Sequence, residues 1–188
     1  MRKLVLTVLA VVLLFCCGCG PRAITKGSRP FSSGKEVFTD ASGKVLTDLP
    51  DYGEPFRLVF LDFTWCPACQ SAWDSVREAV ETAPPGSVRI YRILFDKETL
   101  ITASGKKETT PLHPTSPPWP KFQENAENIK LTTLTAHPEV FQKEFRVNKT
   151  PILLLINREG TVERRWDGYS TNLKEDISAE LSRTTPLH

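Results

Sequence analysis

The feature that most constrains this chain is an apolar run that ends in a Cys-x-x-Cys pair and turns at once into a helical pattern. Phe56 to Phe63 is nearly continuous in apolar residues, as in a strand buried on both faces. Thr64-Trp65-Cys66-Pro67-Ala68-Cys69 follows. From Pro67 onward Cys69, Ala72, Trp73, Val76 and Val80 fall at helical spacing, opposite Asp74, Arg77, Glu78 and Glu81. Pro67 suits the first helical position, and Pro84-Pro85-Gly86 ends the helix. The cysteines therefore sit on a strand-to-helix corner, close enough to form a reversible disulfide. The free N–H groups and positive dipole end of that helix stabilise a thiolate at Cys66, the attacking species in thiol-disulfide exchange. Cys69, one turn further in, resolves the mixed disulfide.

The flanking patterns extend this unit. Val88 to Phe95 reads as a second buried strand, and strand-helix-strand favours parallel pairing through a right-handed crossover. Upstream, Val37-Phe38 and Lys44-Val45-Leu46 form a short hairpin around Asp40-Ala41-Ser42-Gly43. From Asp96 to Lys130 the period dissolves among Pro111, Pro114, Pro117, Pro118 and Pro120, which reads as a surface excursion suited to substrate choice, with a short helix near Lys121 to Ile129. His137 to Phe145 reads as a helix with Pro138 in its first turn. Thr150-Pro151 opens a strand at Ile152 to Ile156, and Asn157-Arg158-Glu159-Gly160 turns into an antiparallel strand at Thr161 to Trp166. Leu173, Ile177 and Leu181 line a terminal helix capped by Thr171 or Asn172.

The start of the chain points to export. Arg2 and Lys3 precede Leu4 to Phe15, a dozen residues broken only by Thr7. A membrane-spanning helix needs about 20 apolar residues, so the run reads as a signal peptide, residues 1–18. Cys16-Cys17-Gly18-Cys19 resembles the cleavage region of bacterial lipoproteins, with Cys19 the lipid-attachment residue and Cys17 the alternative. Residues 19–35, rich in Gly, Ser, Pro and Lys, read as a flexible tether, and residues 36–185 as the folded domain. Length fits one domain: 188 residues with 40% hydrophobic and 24% charged. A formal charge of +2 gives no reason to propose a nucleic-acid partner. Export places the domain in the periplasm or at the cell exterior, anchored to a membrane, where disulfides persist.

Of five cysteines only Cys66 and Cys69 remain outside the leader. A bridge across two residues removes little unfolded-chain entropy, so a purely structural disulfide explains the pair poorly. Structural zinc needs four ligands, and no second paired motif supplies them. Gln70 stands where covalent haem attachment requires His. No cofactor and no metal is expected. The competing function is a copper-binding assembly factor for a respiratory oxidase, with His137 or His113 completing a site at the cysteines. Against it, the only Met is Met1. A binding module without redox activity is a third reading, which retention of both cysteines disfavours.

Phe63-Thr64-Trp65-Cys66-Pro67-Ala68-Cys69, Thr150-Pro151 before a buried strand, and the hairpin at Asn157 to Val162 together resemble thioredoxin-like proteins, over roughly Val37 to Leu181. The layout is similar to membrane-anchored bacterial members of that superfamily. The resemblance implies an α/β fold, a central mixed sheet flanked by helices, with an N-terminal hairpin and an insertion before the second core helix. It implies a thiol-disulfide oxidoreductase with Cys66 as nucleophile and Cys69 as resolving thiol, acting on protein thiols and disulfides and recharged by a membrane redox partner. The anchored members it resembles are mostly reductants. Pro151 would be cis beside the cysteines, Thr150 would bind extended substrate, Trp65 would shield the site, and Trp65 and Pro67 would contact substrate. Many members carry a buried carboxylate six residues before the first cysteine, where this chain has Phe60. Asp62, four residues before Cys66, replaces it as proton acceptor only if the strand-to-helix loop is two residues shorter. Otherwise Asp62 is a polar strand end.

Overall fold

In a computed structural model, which describes residues 24–31, 34, 38–62, 66–95, 97–101, 107–111, 129–136 and 150–184, the corner read from sequence lies at the centre. The elements are β1 (Phe38–Thr39), β2 (Val45–Leu46), β3 (Phe56–Asp62), α1 (Pro67–Glu81), β4 (Val88–Phe95), β5 (Lys97–Ile101), β6 (Lys107–Pro111), β7 (Lys130–Ala136), β8 (Ile152–Asn157), β9 (Val162–Asp167) and α2 (Leu173–Thr184). A seven-stranded sheet runs in the order β2-β1-β7-β4-β3-β8-β9. β3, β4 and β7 are parallel, while β8, β9 and the β1–β2 hairpin run antiparallel to their neighbours.

Side chains alternate across a strand, so β3 feeds two cores. Leu58 and Phe60 face α1 and α2, against Val76, Leu173 and Ile177. Val59 and Leu61 face the other side, with Tyr91, Ile93, Leu154 and Ile156. The helical face read from sequence is the buried one: Cys69, Ala72, Trp73, Val76 and Val80, joined by Ala79. Lys174 of α2 pairs with Glu78 of α1 at 3.0 Å across the exposed side of the helix contact. Among the described residues no helix is long and apolar enough to cross a membrane.

Three features depart from the sequence reading. First, the excursion contains structure: β5 and β6 pair antiparallel as a separate two-stranded sheet, and β7 joins the main sheet beside β4. β7 reads Lys-Leu-Thr-Thr-Leu-Thr-Ala, and its buried residues Leu134 and Ala136 are too few to mark a strand by period. Second, the expected tether is packed over 24–31. Ile24 and Phe31 are buried in the core face away from the helices, and Phe31 meets Phe38 edge-on with ring centroids 5.1 Å apart. Gly27 N–H donates to Val162 O (2.7 Å) and Val162 N–H to Ser28 O (2.9 Å), so this segment, turned by the Ser28 N–H to Thr25 O bond (3.0 Å), is held against the start of β9. Two apolar residues seven apart carry no local period, but they cover sheet surface that would otherwise meet water. Third, Glu54 is buried and accepts from Arg89 of β4 (2.9 and 3.1 Å) and Lys130 of β7 (2.9 Å), clasping the starts of the parallel strands at the end away from the cysteines. Of the helix expected over Lys121 to Ile129 only Ile129 is described, in non-helical backbone just before β7, and the helix expected over His137 to Phe145 lies outside the described residues.

Candidate active site

Cys66 is the N-cap of α1, in extended backbone (φ −87°, ψ 107°), with Pro67 opening the helix. Its Sγ accepts a hydrogen bond from the backbone N–H of Cys69 (3.2 Å), a first-turn donor shared with the Cys66 carbonyl (3.0 Å). The two residues are disulfide-bonded, with Cα atoms 5.2 Å apart. Their environments differ. Cys66 retains 8% of its surface, while Cys69 is wholly enclosed on the core side of the helix. Pro67 and Ala68 between them face solvent.

The second wall comes from the start of β8. The Thr150–Pro151 peptide is cis, Pro151 is buried, and the Thr150 hydroxyl lies 4.0 Å from Cys66 Sγ. The loop after β9 closes on the same point, since the N–H of Gly168 donates to Pro151 O (2.8 Å). Gly168 holds φ 80°, a left-handed conformation that suits glycine. Tyr169 beside it is a large apolar side chain left 44% exposed.

A polar pair is buried beneath the same helix, α1. Asp62 ends β3 on the face covered by α1, fully enclosed, and pairs with Arg92 of β4 at 2.6 Å. The Arg92 guanidinium lies 5.3 Å from the ring centroid of Trp73, and Phe60 packs on the same ring at 5.4 Å. Trp73 stands four residues after Cys69, one turn along the same helix face. The pair thus lies under the helix that carries both cysteines.

No protein-family model matches the sequence, and no curated protein matches it. The structure does have counterparts. A thioredoxin-like protein from Aeropyrum pernix superposes with TM-score 0.52 at 18% identity, over 78% of this chain and 89% of that one. The thioredoxin domain of a thiol-disulfide oxidoreductase from Bacteroides vulgatus superposes with TM-score 0.51 at 14% identity, over 85% of this chain and 99% of that one. The fold is thioredoxin-like.

On this thioredoxin-like frame Cys66, Cys69, Pro67, Thr150 and Pro151 converge at the end of the sheet where β3 stops. Asp62 lies at the same end, but its partner is Arg92, which the sequence reading did not single out. A signal was available. An arginine on a strand otherwise buried on that face needs a carboxylate, because an uncompensated charge is costly there. The Gly168–Pro151 contact was also missed, since nothing local to Asp167-Gly168-Tyr169 distinguishes it from an ordinary strand end. Trp65, Cys19, Cys17, His113 and His137 lie outside the described residues.

Proposed function

We propose that this chain is an exported thiol-disulfide oxidoreductase working through the Cys66–Cys69 dithiol/disulfide, in the reducing direction. The observation that carries the reading is the asymmetry of the pair. Cys66 caps the helix with its Sγ facing the Cys69 N–H and keeps an exposed edge, whereas Cys69 is enclosed. The first sulfur meets substrate and the second waits behind it.

In the reduced form the Cys66 thiolate attacks one sulfur of a substrate disulfide. A Cys66–substrate bond forms and the other substrate sulfur leaves as a thiolate, protonated by solvent. Cys69 then gives its proton to Asp62 and attacks Cys66 Sγ. The Cys66–Cys69 bond forms and the second substrate sulfur leaves, so two electrons have passed to the substrate. Thr150 and cis Pro151, with Pro67, line the path of an extended substrate segment, and the resemblance gives Trp65 a substrate-contacting role beside them. A membrane-held dithiol returns two electrons to the pair. The leader and Cys19 support an extracytoplasmic, lipid-anchored location.

The test is catalysis of insulin reduction by dithiothreitol. The native pair should accelerate it, Cys66→Ser should abolish the acceleration, and Cys69→Ser should trap a mixed disulfide on Cys66. No acceleration over free dithiol sinks the reading. Direction is read from the reduction potential, near about −270 mV for a thioredoxin-type reductant and about −120 mV for a strong oxidant.

A further inference from the structure

We propose that Tyr169 is a specificity-determining residue of the reaction: it selects substrate proteins whose reacting cysteine lies in an uncharged segment with an aromatic or large aliphatic side chain two or three residues away. This rests on the oxidoreductase reading above and names the substrate class of that same site.

Thr150 Oγ1 lies 4.0 Å from Cys66 Sγ, and the carbonyl of the next residue, Pro151, accepts from the Gly168 N–H at 2.8 Å. Tyr169 follows Gly168, so its backbone stands on the order of 10 Å from the reacting sulfur. The loop that carries it is tied on both sides. Arg165 is forked onto Asp167 (Nη2 to Oδ1, 2.6 Å; Nε to Oδ2, 2.9 Å), and the Leu173 N–H donates to Ser170 O (3.1 Å) at the start of α2. An aromatic side chain on a fixed backbone has little freedom left to lose on binding. Among the described residues three large apolar side chains are exposed: Val45, Tyr52 and Tyr169. Val45 lies on the far edge strand β2, and Tyr52 carries the Arg89 guanidinium 4.0 Å over its ring. The Tyr169 side chain makes no hydrogen bond or ring contact with a described residue. It is 44% exposed beside the site, where a substrate that covers it takes apolar surface out of water.

The surrounding rim fixes the character of what covers Tyr169. The described segments that meet at the sulfur, 66–73, 150–156 and 168–173, contain no charged residue, in a chain of which 24% is charged. Pro67, Ala68, Gln70 and Ser71 are the exposed residues of the helix start. The charges that bound the last segment, Asp167 and Lys174, are paired with Arg165 and Glu78, and Asp74 follows two turns into α1. A charged substrate side chain would meet no counterion in these segments and would lose water without compensation. An apolar one gains Tyr169, Pro67 and Ala68. An extended substrate advances about 3.3 Å per residue, so the side chain that reaches Tyr169 is two or three residues from the cysteine.

The test uses the full chain in a Cys16→Ser/Cys17→Ser/Cys19→Ser background, which leaves Cys66 and Cys69 as its only thiols. The reduced protein is mixed with symmetric disulfides of the peptide Gly-Xaa-Ser-Cys-Ser-Xaa-Gly, Xaa being Phe, Ser or Glu. Each turnover leaves the Cys66–Cys69 disulfide and two peptide thiols, and second-order rates are read from acid-quenched samples. The Phe peptide should react about tenfold faster than the Ser peptide, the scale of one buried apolar side chain, and the Glu peptide no faster than the Ser peptide. Tyr169→Ser should bring the Phe-to-Ser ratio within about twofold of unity, and Tyr169→Phe should retain it. The Phe-peptide rate should change less than about twofold between about 0.05 and 0.5 M NaCl. A native chain without the preference, a Tyr169→Ser chain that keeps the ratio even if both rates fall, or a Phe-peptide rate that drops with salt overturns the assignment. If none of the three peptides reacts faster than with free dithiol, the oxidoreductase reading itself is removed and the assignment with it.

Discussion

Arg92 directs two donors, Nε at 2.9 Å and Nη2 at 2.6 Å, at one oxygen of Asp62. One charge pair thereby joins the strand that leads into the cysteines to its parallel neighbour. The guanidinium also lies against Trp73, which links both strands to the helix that carries the site.

Removing either partner leaves a charge enclosed without its counterion. Arg92→Met should lower stability by about 3–5 kcal/mol, and the Asp62→Asn/Arg92→Met double variant should cost clearly less than the two single changes together. Urea denaturation of the four proteins measures this coupling. Additive costs would mean that the pair contributes nothing as a pair.

The proposed proton transfer makes a kinetic prediction at the same residue. Asp62→Asn should slow release of a preformed Cys66 mixed disulfide by Cys69 by about 100-fold. Alkylation of reduced Cys66 should keep its rate. Stopped-flow release from a Cys66–peptide adduct separates the steps, and an unchanged release rate would remove Asp62 from the mechanism.

At the opposite end of the sheet, Glu54 governs acid stability. Burial pushes its carboxyl up, but hydrogen bonds from Arg89 and Lys130 outweigh burial and bring the pKa from 4.5 down to about 2. A folded pKa below the unfolded one stabilises the protein above pH 4.5, and that stability is lost as pH falls from 4.5 toward 2. The contribution near neutrality is about 2 kcal/mol once the half-exposed Lys130 is discounted for screening. Urea midpoints at pH 7 and pH 2.5 for the native chain and Glu54→Gln should differ widely at pH 7 and converge in acid. A gap of the same size at both pH values would refute the linkage.

Gly168 tests the backbone of the loop that holds Pro151. An added Cβ would meet nothing within 4 Å, so the cost of Gly168→Ala is conformational, about 1–2 kcal/mol. Gly168→Asn should cost less, because Asn tolerates the left-handed region better. Thermal denaturation of the two variants decides it: equal costs would place the effect elsewhere than in φ.

What was legible in the sequence was local and periodic. Phe56–Asp62, Val88–Phe95 and Ile152–Asn157 are apolar throughout or nearly so because both faces of the sheet are covered. The α1 stripe and the Leu173, Ile177, Leu181 stripe were visible because a helix repeats every 3.6 residues. The Cys66 N-cap and Pro67 start were likewise written into neighbouring residues. β7 and the 24–31 segment were not legible, since each contributes only two or three buried side chains and owes its conformation to a partner strand far away in the chain.

The sequence by itself determined the chemistry: two thiols three residues apart at the mouth of a helix, a proline before a buried strand, and the elements that carry them. Only the tertiary structure decided which charge meets Asp62, which carbonyl Gly168 binds, and that the N-terminal segment packs against β9. The reason is physical. Helical and strand periodicity act over a few residues and leave a mark in composition, whereas an ion pair 30 residues apart or a hydrogen bond 141 residues apart is selected by packing and leaves none.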